Sequence, residues 1–191
     1  MATTNSNTKT KVVTGEVRLS YAHVWKPVAI SEGQDAKYSV CLLIPKNDKK
    51  TLKKIKAAVD TAKENGKSMW GGKVPTSLKT PLRDGDEERA DQPEFAGHYF
   101  MNANSKMAPG IVDRNVEPIL DSTEVYSGCY ARVSVNFYPY SHAGNRGIGC
   151  GLNNIQKLRD GDYLGGRSRA EDDFDAWEDD EDFEDDLDFL G

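Results

Sequence analysis

Apolar and polar residues alternate along five segments of the chain, and this period of two predicts five β-strands. The predicted strands are residues 11–21, 36–45, 97–107, 123–141 and 146–158. In the first of them, Tyr21 falls on the same side as Val17 and Leu19. We therefore expect these three side chains to face the core, with Arg18 on the opposite face.

One segment instead repeats its apolar residues every three or four positions, which predicts a helix over residues 47–66. Asn47 or Asp48 is suited to begin this helix as an N-cap, and Gly66 is suited to end it. The apolar side of the helix holds Leu52, Ile55, Val59 and Ala62. Its outer side carries six lysines, which either form solvated surface or add to a positive field.

The segments without a regular period predict loops. Residues 22–35 and 108–122 are expected to be connections, and residues 67–95 a long insertion rich in Gly, Pro and charge. Long strands, turn residues and one helix favour a mainly β fold, namely an oligonucleotide-binding (OB) fold built as a five-stranded antiparallel barrel. A two-sheet sandwich fits the same pattern and remains an alternative.

Length and composition divide the chain into one folded domain and two flexible ends. Of the 191 residues, residues 11–160 suffice for one domain with a single core. Residues 1–10 are predicted to be flexible, and residues 161–170 to be a linker. Residues 171–191 combine 13 Asp or Glu with no Lys or Arg, so this acidic tail is predicted to be disordered.

The net charge of −6 hides two opposite parts. When the 13 tail acids are removed from the total of 31, 18 acids remain against 25 Lys and Arg, so residues 1–170 carry a net charge of +7. A basic body favours a polyanionic partner, because Lys and Arg neutralise phosphates and release counterions. The alternative is an ordinary soluble body of mild positive charge.

Residues suited to catalysis or metal binding are sparse. Cys41, Cys129 and Cys150 lie far apart, so neither a zinc site nor a disulfide framework is indicated. The histidines lack paired-ligand spacing, and the carboxylates of residues 83–88 lack the spacing of a calcium loop. No catalytic residue, metal or cofactor is predicted. The polar start and the short apolar runs favour a cytoplasmic protein without membrane spans.

The strongest chemical signal lies in residues 130–140, where core residues alternate with exposed rings and charge. Bases of a single strand stack on aromatic rings while Lys or Arg follows the backbone, and stacking does not depend on sequence. The candidate stacking residues are Trp25, Trp70, Phe100, Tyr130, Tyr138 and Tyr140. The candidate phosphate contacts are Arg18, Lys26, Lys73, Lys79, Arg132 and Arg146.

Each aromatic candidate also has a purely structural interpretation. The tyrosines can pack under the insertion or at a dimer contact, Phe100 can belong to the core, and the two tryptophans can fix their loops to the body. The last predicted strand carries three glycines on one face: Gly147, Gly149 and Gly151. Their missing side chains favour curvature of the strand and also permit close approach by a base.

Three features together resemble the single-stranded-DNA-binding proteins of bacteriophages, relatives of the replicative ones in podoviruses. They are the blocks GHYFMNANSKMAPGIVDRN and YSGCYARVSVNFYPYSHAGNRGIGCGLNNIQKLRDGDYLGGR and the acidic aromatic tail. The resemblance covers most of residues 12–191 and is strongest in residues 97–169. It implies an OB fold, sequence-independent binding of single-stranded DNA (ssDNA) in phage replication and recombination, frequent dimerisation, and a tail that contacts replication proteins.

The aromatic rings of the tail then have an interpretation. Carboxylates interleaved with rings mimic ssDNA, so the tail is expected to compete for the DNA groove and to recruit polymerase, primase-helicase or nuclease partners. The tail residues expected to bind partners are Phe174, Trp177, Phe183, Phe189 and Leu190. Related tails commonly end in Phe, and a partner pocket that requires a terminal Phe would not accept the end formed here by Leu190 and Gly191.

The sequence thus predicts a non-enzymatic ssDNA-binding protein, and three other functions remain open. A strand-annealing recombination protein would also bind ssDNA but would accelerate pairing of complementary strands. An adaptor would bind basic proteins through the tail and no DNA through the body. A metal-dependent nuclease would need carboxylates brought together by the fold.

Overall fold

The computed structural model describes residues 9–29, 31–165 and 170–177. Within them the strands are β1 (Lys11–Val13), β2 (Val17–Val28), β3 (Lys37–Pro45), β4 (Arg83–Asp84), β5 (His98–Ser105), β6 (Gly110–Val112), β7 (Tyr130–His142) and β8 (Asn145–Arg159). The helices are α1 (Lys49–Asn65), α2 (Gly85–Glu88) and α3 (Ala170–Asp173), with 3₁₀ turns at Lys67–Trp70 and Pro93–Phe95. Most of the regular structure is β, as predicted.

Five strands close into a ring in the order β2, β3, β5, β8, β7 and back to β2. Neighbours in the ring are antiparallel except β5 and β8, which run parallel and meet at the pair Asn104 and Gly151. This closed order is that of an OB fold, so the predicted mainly β OB fold is confirmed and the two-sheet alternative is excluded. The parallel seam between β5 and β8 corrects the expectation of a wholly antiparallel arrangement.

The first predicted strand is interrupted. Residues 14–16 separate β1, which pairs with β7, from β2, which pairs with both β3 and β7. The side-chain hydroxyl of Thr51 on α1 accepts a hydrogen bond from the backbone N–H of Gly15 at 2.9 Å, which fixes this break. β2 then continues to Val28, where it still pairs with β3, so Trp25 lies on a strand and not in a loop.

A β-bulge in β2 reverses the predicted direction of Tyr21. The register of β2 against β3 shifts between Ser20 and His23, and Tyr21 has a positive φ of 45°. An extra residue in one strand bends that strand and redirects its side chains. Val17 and Leu19 are buried as predicted, but Tyr21 is 56% exposed, so the expectation that it faces the core is wrong.

α1 confirms the predicted helix. The side chain of Asp48 caps its first turn by accepting a hydrogen bond from the N–H of Thr51 at 3.1 Å, and Gly66 follows its last turn. A Cβ at Gly66 would lie within 2.7 Å of both Trp70 and Pro139, so the glycine lets the following 3₁₀ turn fold back onto β7. The buried side of α1 holds Thr51, Ile55, Ala58, Val59 and Ala62.

The ring encloses the main core, and a smaller cluster lies outside it. β7 begins at Tyr130 and not at residue 123. From there the predicted core residues Ala131, Val133, Val135 and Phe137 are buried. The smaller cluster, called here the satellite cluster, consists of Cys41, Leu43, Phe95 and Phe100. It forms because the insertion places Phe95 on the outer side of β3 and β5.

The chain beyond β8 stays attached to the ring for several residues. The guanidinium of Arg18 donates to the carbonyl of Asp162 at 2.7 Å, and the N–H of Leu164 donates to the carbonyl of Ser127 at 2.8 Å. The Leu164 side chain packs against the satellite cluster. Packed chain therefore continues into the predicted linker. The predictions for residues 1–8, 166–169 and 178–191 fall outside the described residues.

Candidate nucleic-acid interface

The outer surface of β2, β3 and β5 forms a continuous surface, called here the β2–β3–β5 face. Its residues are Tyr21, His23, Ser39, Cys41, Asn102 and Asn104. They point outward because the residues between them on β3 and β5 fill the main core: Val40, Leu42, Met101 and Ala103. Strand pairing aligns Ser39 with Asn104, and Cys41 with Asn102, so the polar side chains lie side by side.

The satellite cluster closes one end of this face. Phe95 meets the ring of Phe100 edge-on at 5.2 Å between centroids. The guanidinium groups of Arg83 and Arg89 lie over the same ring, at 5.3 and 5.4 Å from its centroid. Phe100 is consequently 1% exposed, so it belongs to a core and presents no open ring face on which the predicted base could stack.

A cavity of about 230 Å³ opens beside the satellite cluster. Tyr21, Arg89 and Asn102 line it, with Cys41 and the two phenylalanines at its base. The Nε of Arg89 is buried and has no hydrogen-bond partner among the described residues. Burial raises the pKa of the Cys41 thiol to about 12, so this floor is uncharged at neutral pH. The cavity thus combines an exposed ring, an amide and an unsatisfied cationic donor.

The other end of the β2–β3–β5 face is open and basic. A cavity of about 270 Å³ lies there, lined in part by Lys37, Asn104 and Lys106. Asp35 also lines it and pairs with Lys106 at 3.4 Å, but both side chains are more than 70% exposed. Such an exposed pair is weak and leaves the ammonium group available to a phosphate.

The β7–β8 hairpin presents a second aromatic surface, on a different side of the ring. Tyr138 pairs with Gly149, and Tyr140 pairs with Gly147. A Cβ at Gly149 would lie 2.5 Å from the Tyr138 ring, so the glycine lets the ring lie flat on β8. Tyr138 is 41% exposed, and partial burial raises the pKa of its hydroxyl. The alternation predicted for this strand is confirmed, and the two rings occupy the space above two of the glycines.

Two of the predicted phosphate contacts, Lys79 and Arg146, lie at this hairpin. Lys79 bridges to Gly147 through its backbone, and its ammonium group lies 3.3 Å from the side-chain oxygen of Asn145. Arg146, Lys73 and Lys26 are exposed, although Lys26 belongs to β2. The structure therefore brings Lys79 and Arg146 close to Tyr140.

Both tryptophans that were expected to stack on bases, Trp25 on β2 and Trp70 in the 3₁₀ turn, are bound to the body. The indole N–H of Trp70 donates to the carbonyl of Tyr140 at 3.3 Å, and Trp70 is 7% exposed. The indole N–H of Trp25 donates to the carbonyl of Val125 at 3.0 Å, and its ring packs against the main core. Trp70 thus offers no free ring, and Trp25 offers at most part of one.

Tyr130 lies at the far end of β7 from the hairpin and is enclosed by arginines. The guanidinium of Arg159 lies 3.8 Å from its ring centroid, and that of Arg18 lies 5.6 Å from it. Arg159 also binds Glu16 at 2.8 Å, and this bond lowers the pKa of that carboxyl. Arg18 donates to the carbonyls of Gly128 and Asp162, so it joins the chain before β7 to the chain after β8.

The remaining predicted residues fall in separate places. Arg132 is exposed on β7, and its Nε donates to the carbonyl of Thr14 at 3.2 Å. In the tail, Phe174 is 75% exposed and Trp177 is 87% exposed. The other predicted tail residues lie outside the described residues: Phe183, Phe189 and Leu190.

Sequence reasoning missed the central residues of the β2–β3–β5 face. The regular alternation of apolar and polar residues up to Tyr21 predicts that this side chain faces the core. A β-bulge breaks that alternation in the structure but leaves no periodic signal in a single sequence. Arg89 belongs to the insertion, far from Tyr21 in the chain, and only the fold brings them together. The alternation of Asn102 and Asn104 with core residues was the one available signal for this face.

Two further observations concern metal ligands and membrane spans. Among the described residues, no group of three His, Cys, Asp or Glu side chains is placed to hold a metal ion. The helices that the structure describes are too short or too polar to cross a membrane.

Comparison with known proteins identifies related sequences. The family model of the ssDNA-binding protein of Enterobacter phage Enc34 matches residues 10–184. A putative protein, p50, of Acyrthosiphon pisum secondary endosymbiont phage 1 is 33% identical over 177 residues, which cover 86% of this chain and 92% of that protein.

Solved structures show the same fold. The ssDNA-binding protein of bacteriophage Enc34, solved in complex with ssDNA, is similar with a TM-score of 0.73 and 27% identity over 82% of this chain and 90% of that one. The ssDNA-binding protein gp2.5 of bacteriophage T7 is similar with a TM-score of 0.59 and 15% identity over 87% of this chain and 95% of that one. At this low identity, the likeness to gp2.5 concerns the fold alone.

Proposed function

Because the chain belongs to the family of the Enterobacter phage Enc34 ssDNA-binding protein, we propose that it binds ssDNA without sequence preference and without catalysis. The binding surface is the β2–β3–β5 face. Phage DNA replication and recombination, the processes in which ssDNA is exposed, are the proposed setting.

One observation carries this proposal: the exposed Tyr21 and the cationic Arg89 line the same cavity. A base stacked on a ring contributes about 1–3 kcal/mol, and each base offers a π face, so such a surface tolerates any sequence. A phosphate in this cavity would pair with the positive charge of the Arg89 guanidinium. Lys37 and Lys106 extend the positive surface toward the open end.

The acidic tail is proposed to regulate this site. Leu164 anchors the chain on the satellite cluster, which borders the cavity of Tyr21 and Arg89. The tail begins at Glu171, seven positions after Leu164, so it is tethered to the border of the proposed DNA site. A short tether gives an effective concentration on the order of millimolar. Its carboxylates and rings would occupy the site when DNA is absent and leave it when DNA binds.

A displaced tail becomes available to other proteins. We propose that its exposed aromatic residues, Phe174 and Trp177 among them, then bind replication proteins such as polymerase or primase-helicase, or a nuclease. A homodimer would place two such tails on one assembly. Binding of a polymerase to full-length chain but not to residues 1–170, measured with ssDNA present, tests the recruitment; analytical ultracentrifugation tests the dimer.

The experiment that tests DNA binding is a titration of the full chain with labelled oligo(dT), with a matched duplex as competitor, at several salt concentrations. We expect tight binding that weakens with salt and resists the duplex. Replacing Arg89 by Met should weaken binding and reduce the salt slope by about 1. Lys53→Met is the matched control, because it removes one charge from the exposed side of α1.

Two results would reject parts of this proposal. If the full chain and residues 1–170 both fail to bind oligo(dT) at low salt, the protein is an adaptor and not a DNA-binding protein. If removal of residues 171–191 leaves the affinity for ssDNA unchanged at low salt, the tail does not compete for the site.

A further inference from the structure

The chain that follows β8 runs beside β2 before the tail begins. Residues 160–165, called here the strap, are bound to the body through the carbonyl of Asp162 and the N–H of Leu164. A Cβ on Gly161 would collide with the carbonyl oxygen of Gly128, and a Cβ on Gly128 would collide with that of Asp162. These two glycines therefore let the strap lie directly on the segment that precedes β7.

The strap holds the ring of Tyr163 in place. The rings of Tyr163 and Tyr126 are 6.2 Å apart between centroids. A Cβ on Gly165 would collide with the Tyr163 ring, so the glycine lets the chain turn alongside that ring. The next side chain, that of Leu164, packs against the satellite cluster. Tyr163 is nevertheless 37% exposed, so an accessible ring is already positioned before any ligand binds.

A cavity of about 340 Å³ joins this ring to β2. Tyr163 and Gly165 line it from the strap, whereas Tyr21 lines it from β2 and Glu94 from the insertion. Tyr21 also lines the cavity of about 230 Å³ that contains Arg89. The Tyr21 side chain thus borders two cavities, one with a cation and one with a second tyrosine and a carboxylate.

The insertion places Glu94 beside Tyr21. Glu94 belongs to the 3₁₀ turn Pro93–Phe95, which is fixed because Phe95 is buried in the satellite cluster. The hydroxyl of Tyr21 donates to the side-chain oxygen of Gln92, just before this turn, at 3.3 Å. The segment that carries the Glu94 carboxylate therefore also binds the Tyr21 side chain.

A DNA base suits the chemistry of this cavity better than a phosphate or the acidic tail. Tyrosine rings offer stacking surfaces to a flat base. An ionised carboxylate only accepts hydrogen bonds, so Glu94 favours a base edge that carries N–H donors and repels anionic groups. Cytosine carries an amino group at the position where thymine carries a carbonyl oxygen, so the two pyrimidines differ at the edge that Glu94 would contact.

We propose that this cavity receives one unstacked base of bound ssDNA, between Tyr21 and Tyr163, and that Glu94 favours cytosine over thymine there by accepting a hydrogen bond from the amino group. The inference rests on the proposed function and refines it: the protein binds ssDNA of any sequence, and one base position adds a preference. The strap then belongs to the DNA site and also anchors the tail.

The test compares labelled oligo(dC) and oligo(dT) of equal length, at neutral pH, by fluorescence anisotropy with the full chain. One hydrogen bond to a charged acceptor should make oligo(dC) bind about tenfold more tightly than oligo(dT). In Glu94→Gln this difference should disappear, because an amide can donate to the thymine carbonyl as well as accept from the cytosine amino group.

Three variants control for other effects. Glu87→Gln makes the same change at an exposed position on α2, outside the cavity, and should keep the native preference. Tyr163→Ala should weaken the binding of both strands about fivefold, whereas Tyr163→Phe keeps the ring and should bind as the native chain does. An unchanged preference in Glu94→Gln, or native affinity in Tyr163→Ala, would overturn the inference.

The outcomes separate this inference from the proposed function. If the native chain binds oligo(dC) and oligo(dT) equally, Glu94 selects no base, and DNA binding itself stands. If the native chain binds neither strand, both proposals fail. Free dCMP at the same nucleotide concentration should not displace oligo(dC), because a single nucleotide lacks the contacts to the rest of the site. Displacement would show a site for free nucleotides and would overturn the inference.

Discussion

Tyr21 and Tyr138 are both exposed on the outside of the ring, but the chain presents them in different ways. Tyr138 lies in regular strand pairing, flat on Gly149 of the neighbouring strand. Tyr21 lies at a bulge with positive φ, and its neighbours in the cavity come from β5 and from the insertion. The β7–β8 surface is thus made by local pairing, and the β2–β3–β5 face by contacts between distant segments.

This difference bears on how each surface tolerates change. A ring supported by a glycine depends on one backbone position and can be lifted by one methyl group. A ring held out by a bulge depends on the irregular strand itself, and its removal leaves the pairing on either side intact. Substitutions at the two tyrosines and their supports should therefore separate DNA affinity from stability.

The largest effect is expected from Tyr21→Ala. The loss of one stacking contact of about 1–3 kcal/mol corresponds to a decrease in ssDNA affinity of about 5- to 150-fold. The melting temperature should stay unchanged, since Tyr21 lies outside both core clusters. Fluorescence anisotropy with oligo(dT) measures the affinity. Tyr21→Phe keeps the ring and should bind nearly as the native chain does; a loss as large as that of Tyr21→Ala would refute stacking.

The next largest effect is on stability, from Gly149→Val. Its Cβ would lie 2.5 Å from the Tyr138 ring, and overpacking of this kind costs about 1–3 kcal/mol. Urea unfolding should show that decrease in the free energy of unfolding. Gly151→Ala is the matched control, because its Cβ meets no atom closer than 3.5 Å. Equal stability of the two variants would mean that Tyr138 does not depend on Gly149.

A smaller effect is expected from Tyr138→Ala. One side of this ring lies against β8, so only its other side can stack on a base. Removing the ring should therefore weaken ssDNA binding by about 1 kcal/mol, which is about fivefold in affinity. The loss should be confined to the longer oligo(dT) strands, which extend beyond the β2–β3–β5 face. A decrease that is the same for the shortest strands would place Tyr138 in the primary site and remove the contrast with Tyr21.

The smallest effect concerns how the contact between the insertion and Lys46 depends on pH. Lys46 binds Asp84 at 2.7 Å and Asp86 at 2.8 Å, and these bonds lower the pKa of both carboxyls below the usual 3.8. Carboxyls with a lowered folded pKa stabilise the fold above the unfolded value, and that contribution disappears as pH falls through the folded pKa. The attachment of the insertion should therefore persist at pH 4 and weaken only at lower pH.

The backbone N–H of Gly97 reports this transition, since it donates to Asp86 at 3.0 Å. Its amide chemical shift and its hydrogen exchange should change together as the pH falls. In Lys46→Met, both changes should begin at higher pH, because the carboxyls return toward their usual pKa. An identical titration of Gly97 in the variant would contradict this role of Lys46.

The sequence predicted the elements whose apolar residues repeat with a fixed period. It predicted the capped helix that became α1, the alternation of β7, and the mainly β OB fold. It also predicted exposed rings at Tyr138 and Tyr140, although Tyr140 is only partly exposed.

What the sequence could not predict depends on irregular backbone or on distant contacts. The bulge at Tyr21 has no periodic signature, and the burial of Phe100 requires Phe95 and Arg89 from the insertion. The sequence around Trp70 predicts a loop, but the turn at Gly66 places the Trp70 ring against β7. In each case the error concerns which side of a strand or loop is covered, and a single sequence does not encode this in its pattern.

The closure of the ring also has a consequence during synthesis. β2 pairs on one side with β3, which follows soon after. Its other neighbour is β7, which it meets at the pair Arg18 and Tyr130, and Tyr130 lies 112 positions (130 − 18) after Arg18. At about 5–20 residues per second, a ribosome needs about 6–22 s to make the intervening chain. Throughout that time one edge of β2 has no partner strand, and such edges are where nascent chains associate with each other. Slow elongation should therefore lower the yield of this protein more than that of a helical protein of equal length.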